Sequence, residues 1–223
     1  MIFFDIDNTL LNNDAAREAA AATVYRHNTL LQDLYAKDQF PALWNEVTQK
    51  YVHRYFTGRI TFEQQRLERW KEIFNTTPDE KEMAAFFKKY LAAYEENWQL
   101  YPDVIPLLER YKDTPKGIIS NGDSDQQRQK LKKTGIDQYF EVVVVSDDIG
   151  LFKPDPKIFL HAAGLAGKEP SQCWYVGDKV DTDAKAAKDA GFTGVWVNRK
   201  FIDEKKEPVP EVISLNDLSY ISG

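Results

Sequence analysis

Four consecutive valines, Val142–Val145, are the feature that most limits how this chain can fold. A run of β-branched residues disfavours helix, and an apolar run without alternation has no polar face to turn towards water. A strand of that kind is buried on both sides, as in a parallel sheet covered by helices. Further short apolar runs stand at 2–4, 116–120, 173–177 and 194–198. Between the later runs lie helix-forming stretches at 124–134, 156–163 and 182–190, with Gly135, Gly164 and Gly191 as the expected stops. Glu211-Val212-Ile213 is a candidate last strand with a short helix from Asn216, and 200–210, rich in charge and proline, reads as a solvated loop. Alternation of this type predicts a doubly wound, Rossmann-like α/β sheet with right-handed crossovers.

The stretch from 13 to 98 has a different character, with helical patterning throughout and no strand candidate. Asn13 or Asp14 is placed to cap an Ala-rich helix, Pro41 to open a second helix that Gly58 stops, and Thr61-Phe62-Glu63-Gln64 forms a capping box. Thr77-Pro78-Asp79-Glu80 reads as another. The expected organisation is therefore an α/β core made of 1–12 and 99–223 with an all-helical domain, 13–98, inserted after the first strand. The aromatic residues Trp44, Tyr51, Tyr55, Phe56, Trp70 and Phe74 fall at helical spacing, which favours bundle core over a base-stacking pocket.

Composition excludes several classes. The net charge is −6 over 223 residues, which argues against a broad surface for nucleic acid or anionic membrane. No apolar run approaches the ~20 residues of a membrane span. The opening Met-Ile-Phe-Phe-Asp meets an acidic residue at once, which does not fit a signal peptide. With one cysteine, Cys173, no intrachain disulfide can form, and the expectation is a cytoplasmic protein with Cys173 as a buried small residue.

In open α/β sheets ligands bind beyond the carboxyl ends of the strands, and here each apolar run ends in reactive side chains. The first is followed by Asp5, Asp7 and Asn8, and the second ends in Ser120-Asn121-Gly122. The third leads through Asp147-Asp148 to Lys153-Pro154, and the fourth ends in Gly177-Asp178 with Asp183 beyond. Carboxylate oxygens suit Mg²⁺, and a lysine with a serine hydroxyl can hold phosphate oxygens. Singly, each fragment is an ordinary turn or helix cap; in order, and each at a strand end, they form one chemical set. A calcium-binding module fails, because these carboxylates lack the short spacing of an EF-hand loop.

At Asp5-Ile6-Asp7-Asn8-Thr9-Leu10, Ser120, Lys153-Pro154 and Gly177-Asp178 through Asp183, the sequence resembles the haloacid dehalogenase superfamily of phosphatases. The resemblance covers the whole chain, and 13–98 is similar to the family's type 1 cap. It implies an Mg²⁺-dependent phosphatase acting on a small phosphorylated metabolite. Asp5 would be the nucleophile and Asp7 the acid and base, its proton affinity raised by crowding beside Asp5 and Asp178. The metal would lie between the Asp5 and Asp178 carboxylates and the Asp7 backbone carbonyl. Lys153 and Ser120, with N–H groups near Asn8 and Asn121, would bind phosphate, Asp183 would orient Lys153 or a metal-bound water, and Arg59 of the cap would touch substrate. True dehalogenases lack the second aspartate, so Asp7 favours phosphoryl chemistry. Similarity to pyrimidine 5′-nucleotidase relatives makes a nucleoside 5′-monophosphate the first substrate expectation. A phosphomutase or phosphotransferase acting on a sugar phosphate, or a catalytically idle binding protein, are the alternatives.

Overall fold

The computed structural model describes residues 1–201 and 209–218; most of the 200–210 loop anticipated above lies outside the described residues. The chain begins with β1 (Ile2–Phe4) and runs through five helices, α1 (Asn13–Arg26), α2 (Thr29–Leu34), α3 (Phe40–Phe56), α4 (Phe62–Phe74) and α5 (Glu80–Glu96). After α6 (Val104–Arg110) strand and helix alternate: β2 (Lys116–Ser120), α7 (Ser124–Lys133), β3 (Val142–Val145), α8 (Ser146–Ile149), α9 (Pro156–Leu165), β4 (Trp174–Gly177), α10 (Ala186–Asp189), β5 (Thr193–Val197) and β6 (Glu211–Val212). Two compact units result, one of residues 1–12 and 99–223, the other Asn13–Trp98.

In the first unit the six strands form one parallel sheet in the order β3-β2-β1-β4-β5-β6. The strand order reverses at β1, which has β2 on one side and β4 on the other. This is the switch point where open sheets leave a crevice. Phe4 is level with Ile118 and Val176, so Asp5 emerges beside the last residues of both neighbouring strands. Phe3, Ile119, Val144, Phe159, Tyr175 and Phe192 make the core on one face, with Phe159 edge-on to Tyr175 at 5.0 Å. Cys173 is a buried free thiol in the same cluster, and burial raises its pKa. The chain leaves and re-enters this unit at one place: Leu11 and Leu100 form an antiparallel bridge, and Asn12 N–H donates to Gln99 O at 2.9 Å.

The second unit is helical throughout. Trp44 is surrounded by Phe40, Phe86 and Tyr90 at 5.0–6.1 Å, and Trp70 stacks on Phe74 at 4.1 Å. Trp44, Tyr51, Trp70 and Phe74 are all buried; Tyr55 is half-buried and the Phe56 side chain is outside the described set. Arg69, 5% exposed, lies among these rings, 4.9 Å from Phe87 and 5.4 Å from Trp44, with Thr48 Oγ1 as an acceptor at 3.1 Å. Burial lowers its pKa to about 10.

Several local expectations need correction. The Thr61 capping box forms, but α5 is capped by Asp79, whose carboxylate accepts from Lys81 and Glu82 N–H, not by Thr77. Asp79 keeps an extended backbone (φ −68°, ψ 135°) and the helix starts at Glu80, so the cap falls two residues after Thr77. Gly164 does not stop α9, which continues to Leu165 until Gly167 adopts a positive φ of 62°. The helix expected at 182–190 begins as a π-turn, Val180–Lys185, before α10. Helix α2, six residues long and capped by Asn28, is too short to show a helical period in the sequence.

The π-turn packs directly on β5. A Cβ placed on Gly194 would lie 1.9 Å from the Ala184 carbonyl oxygen, backbone that cannot swing aside. Gly194→Ala should therefore destabilise the protein by about 3 kcal/mol, the upper range for overpacking, measured by urea denaturation; a loss below about 0.5 kcal/mol would show that the π-turn is free to shift.

Candidate active site

Asp5 is buried at the end of β1, where its N–H still donates to Val176 O at 3.0 Å and so extends the sheet. Its Oδ1 accepts from Ser120 Oγ at 2.9 Å and lies 3.0 Å from Lys153 Nζ. Ser120 is the last residue of β2. Lys153 comes from the loop after α8, whose backbone is tied to the strand end: Asn121 Nδ2 donates to Lys153 O at 2.9 Å, and Lys153 N–H donates to Asn121 Oδ1 at 2.8 Å. The Lys153–Pro154 peptide is cis.

Lys153 is 5% exposed, and its ammonium also donates to Asp183 Oδ1 and Tyr175 Oη, each at 2.6 Å. Burial alone would lower its pKa, but the carboxylates of Asp183 and Asp5 outweigh that and raise it, so the amine stays charged. Tyr175 donates onward to Ile119 O at 2.8 Å, and burial together with Asp183 and Asp5 lifts its hydroxyl far above the phenol range. Asp183 arrives on the π-turn, where its other oxygen accepts from Lys179 N–H at 3.0 Å. A Cβ on Gly177 would lie 2.5 Å from Asp183 Cβ and Cγ; glycine there makes room for the carboxylate. The Lys179 side chain is exposed.

Asp178 follows directly after β4, and Trp196 Nε1 donates to its backbone carbonyl at 3.0 Å. Ligand oxygens of Asp5, Asp178 and Asp183 lie within 4.8 Å of one another. Burial and the neighbouring carboxylates Asp183 and Asp5 raise the Asp178 pKa well above the normal range. Asp5 is also raised, first by burial and then by Asp183 and Asp7, with Lys153 opposing. Three carboxylates facing one ammonium leave an excess of negative charge that a hard divalent cation would offset. The donor set fits such an ion, with Asp5 and Asp178 as the carboxylates least engaged elsewhere.

Asp7, on the loop after β1, is near enough to act on the Asp5 carboxylate, and its own oxygens meet α7: Lys130 Nζ is 2.6 Å from Oδ1, and Gln127 Nε2 is 3.4 Å from Oδ2. Gln127 Nε2 also donates to Ser120 Oγ at 2.7 Å. Asn8 has a positive φ of 60°, and its N–H donates to Leu11 O at 2.7 Å, closing the turn. Asn121 spends its side chain on the Lys153 backbone. Asp147 and Asp148 do not join the cluster; they are exposed and meet Ser124 and Arg128, with Arg128 Nη2 2.8 Å from Asp148 Oδ2. Helix α8 begins at Ser146 and turns them away. Arg59 belongs to the helical unit, exposed in the turn after α3.

Gln127, Lys130 and Tyr175 escaped the sequence reading. A signal for the first two was present. Helix α7, Ser-Asp-Gln-Gln-Arg-Gln-Lys-Leu-Lys-Lys, offers Leu131 as its one apolar side chain, so its buried face, at i, i+3 and i+4, must set polar residues beside that leucine. Those are Gln127, Lys130 and Leu131, all buried. Tyr175 sits inside an apolar strand, where its hydroxyl is invisible to a hydropathy pattern.

Residues 1–191 match the family described as haloacid dehalogenase-like hydrolase. The glyceraldehyde 3-phosphate phosphatase of Methanopyrus kandleri is 32% identical, over 89% of this chain and 83% of its own. The pyrimidine 5′-nucleotidase YjjG of Escherichia coli is 29% identical, over 99% and 96%. The crystal structure of the HAD-hydrolase YfnB from Bacillus subtilis, bound to magnesium, superposes with a TM-score of 0.82 at 23% identity, covering 97% of this chain and 95% of that one. The sheet order, the carboxylate cluster and these likenesses agree: the chain belongs to the haloacid dehalogenase-like hydrolases and is a phosphatase of small phosphomonoesters.

Proposed function

We propose that the protein hydrolyses a nucleoside 5′-monophosphate with Mg²⁺, through an aspartyl-phosphate formed on Asp5. The observation that carries this reading is the buried Asp5 carboxylate at the sheet's switch point, with Ser120 and Lys153 both on its Oδ1. A phosphoryl group brought to Asp5 meets a hydroxyl and an ammonium that can follow the charge of the transferring oxygens. An Asp5 oxygen attacks phosphorus in line while the bond to the leaving oxygen breaks, and Asp7 donates a proton to that oxygen. Asp7 then takes a proton from water as the water oxygen attacks phosphorus, which releases phosphate and restores Asp5. Mg²⁺, held by the Asp5 and Asp178 carboxylates and the Asp7 backbone carbonyl, supplies positive charge that offsets repulsion between Asp5 and the phosphate. Asp183 holds Lys153 in place.

The helical unit acts in this proposal as a cap that excludes water and contacts the leaving group, with Arg59 as a contact. The nucleotide preference rests on similarity to the nucleotidase over nearly the full length of both chains. The triose phosphatase relative supports a second reading, a sugar phosphate. A panel of nucleoside monophosphates, sugar phosphates and phosphoglycolate, ranked by kcat/KM, separates the two. No described helix is long and apolar enough to cross a membrane, and we assign the enzyme to the cytoplasm.

Asp5→Asn should abolish turnover; activity within tenfold of wild type would remove Asp5 as nucleophile. Asp7→Asn should lower kcat by about 10²–10⁴, the usual worth of general acid–base catalysis, and should accumulate phosphoenzyme from p-nitrophenyl phosphate, detectable by acid quench and mass spectrometry.

The metal has its own signature. Asp5 and Asp178 bind protons more tightly folded than unfolded, so metal-free stability should fall as pH rises from the ordinary carboxylate range towards their raised values. Mg²⁺ should restore it, raising Tm by several degrees at pH 8 and by less at pH 5, where protons compete. Asp178→Asn should remove the response, and EDTA should abolish activity. An unchanged Tm with Mg²⁺, together with full activity in EDTA, would refute the metal assignment.

A further inference from the structure

Lys130 is 1% exposed, in the middle of α7, a helix otherwise rich in exposed polar side chains. A buried ammonium is costly unless a charge and hydrogen bonds balance it. Its partner is Asp7 Oδ1 at 2.6 Å. One helical turn earlier, Gln127 places a single amide nitrogen 2.7 Å from Ser120 Oγ and 3.4 Å from Asp7 Oδ2. The two residues therefore grip the Asp7 carboxylate from its two sides, and they do so from a helix packed on the sheet, while Asp7 itself rides on a loop.

We propose that Lys130 is a positioning residue that fixes the Asp7 carboxylate by its Oδ1 and thereby makes Oδ2 the oxygen that gives and takes the proton. This rests on the reading of Asp7 as general acid and base. Both partners are donors, but the charged ammonium holds Oδ1 at 2.6 Å while the neutral Gln127 amide only reaches Oδ2 at 3.4 Å, so Oδ2 is the less firmly held oxygen and the one left to carry the proton. That oxygen lies on the Ser120 side, within reach of the same Gln127 amide. Proton donation to the leaving oxygen and proton removal from water then occur at one atom held in one orientation. Fixing a reacting group in this way lowers the barrier through orientation, with no contact between Lys130 and substrate.

The test compares two substrates of nearly equal shape, p-nitrophenyl phosphate and phenyl phosphate, assayed with Mg²⁺ on the full-length protein. The first leaves as a stable anion with little need of a proton; the second depends on one. Lys130→Met should lower kcat/KM for phenyl phosphate at least tenfold and for p-nitrophenyl phosphate less than threefold. Lys130→Arg, which keeps the charge, should return the ratio of the two to the wild-type value. Equal losses on both substrates would mark Lys130 as merely structural, and no loss on either would make it dispensable; each overturns the proposal. Asp7→Asn serves as the reference. If it discriminates between the substrates and Lys130→Met does not, the Lys130 proposal alone fails. If Asp7→Asn does not discriminate, the acid role of Asp7 fails and the proposal with it. Should Lys130→Met not fold, Lys130→Gln keeps a similar stem without the charge, and at least a threefold change in the ratio is expected of it.

Discussion

The ammonium of Lys153 is the fixed point of the site. It has three donors, and Asp5 Oδ1, Asp183 Oδ1 and Tyr175 Oη meet them at 2.6–3.0 Å. Each partner belongs to a different piece of the fold: the end of β1, the π-turn after β4, and β4 itself. Removing any one would leave a buried charge or a buried acceptor unmatched, a penalty of a few kcal/mol. The interaction therefore locks the nucleophile candidate, the acidic turn and the lysine loop into one arrangement before any substrate arrives.

Around that point the fold uses absent atoms as much as present ones. Gly177 yields the volume that the Asp183 carboxylate occupies, and Gly194 yields the volume taken by the Ala184 carbonyl. Both glycines face the same π-turn, whose wider winding directs Asp183 back over the strand end. An ordinary α-turn would carry Asp183 round by a different angle. On the opposite side of β1, α7 turns polar side chains towards the sheet because the site, and not the hydrophobic core, lies beneath it.

Much of this was legible in the sequence, for a definite reason. In a parallel sheet every strand points the same way, so the residues that follow each apolar run arrive at a common edge. Asp5, Ser120, Lys153, Asp178 and Asp183 could therefore be grouped without coordinates. The same rule failed for Asp147 and Asp148, because α8 starts at once after β3 and carries them outwards to Arg128. It was silent about Lys130, Gln127 and Tyr175, which lie within elements, where polar atoms are set by side-chain direction. Hydropathy is equally silent about backbone support: the Asn8 N–H closes a turn onto Leu11 O, and the Asn121 side chain secures the Lys153 loop.

The bridge between Leu11 and Leu100, with its companion hydrogen bond from Asn12 to Gln99, has a consequence for how such chains diversify. The sheet unit experiences the entire helical insertion as a single closed loop whose ends are already pinned side by side. Loop-closure entropy grows only slowly with the length of what is inserted. Exchanging one helical unit for another of different size would therefore cost the catalytic sheet little, provided the two splice points still meet. That joint gives the fold a socket into which helical modules of other sizes can be fitted.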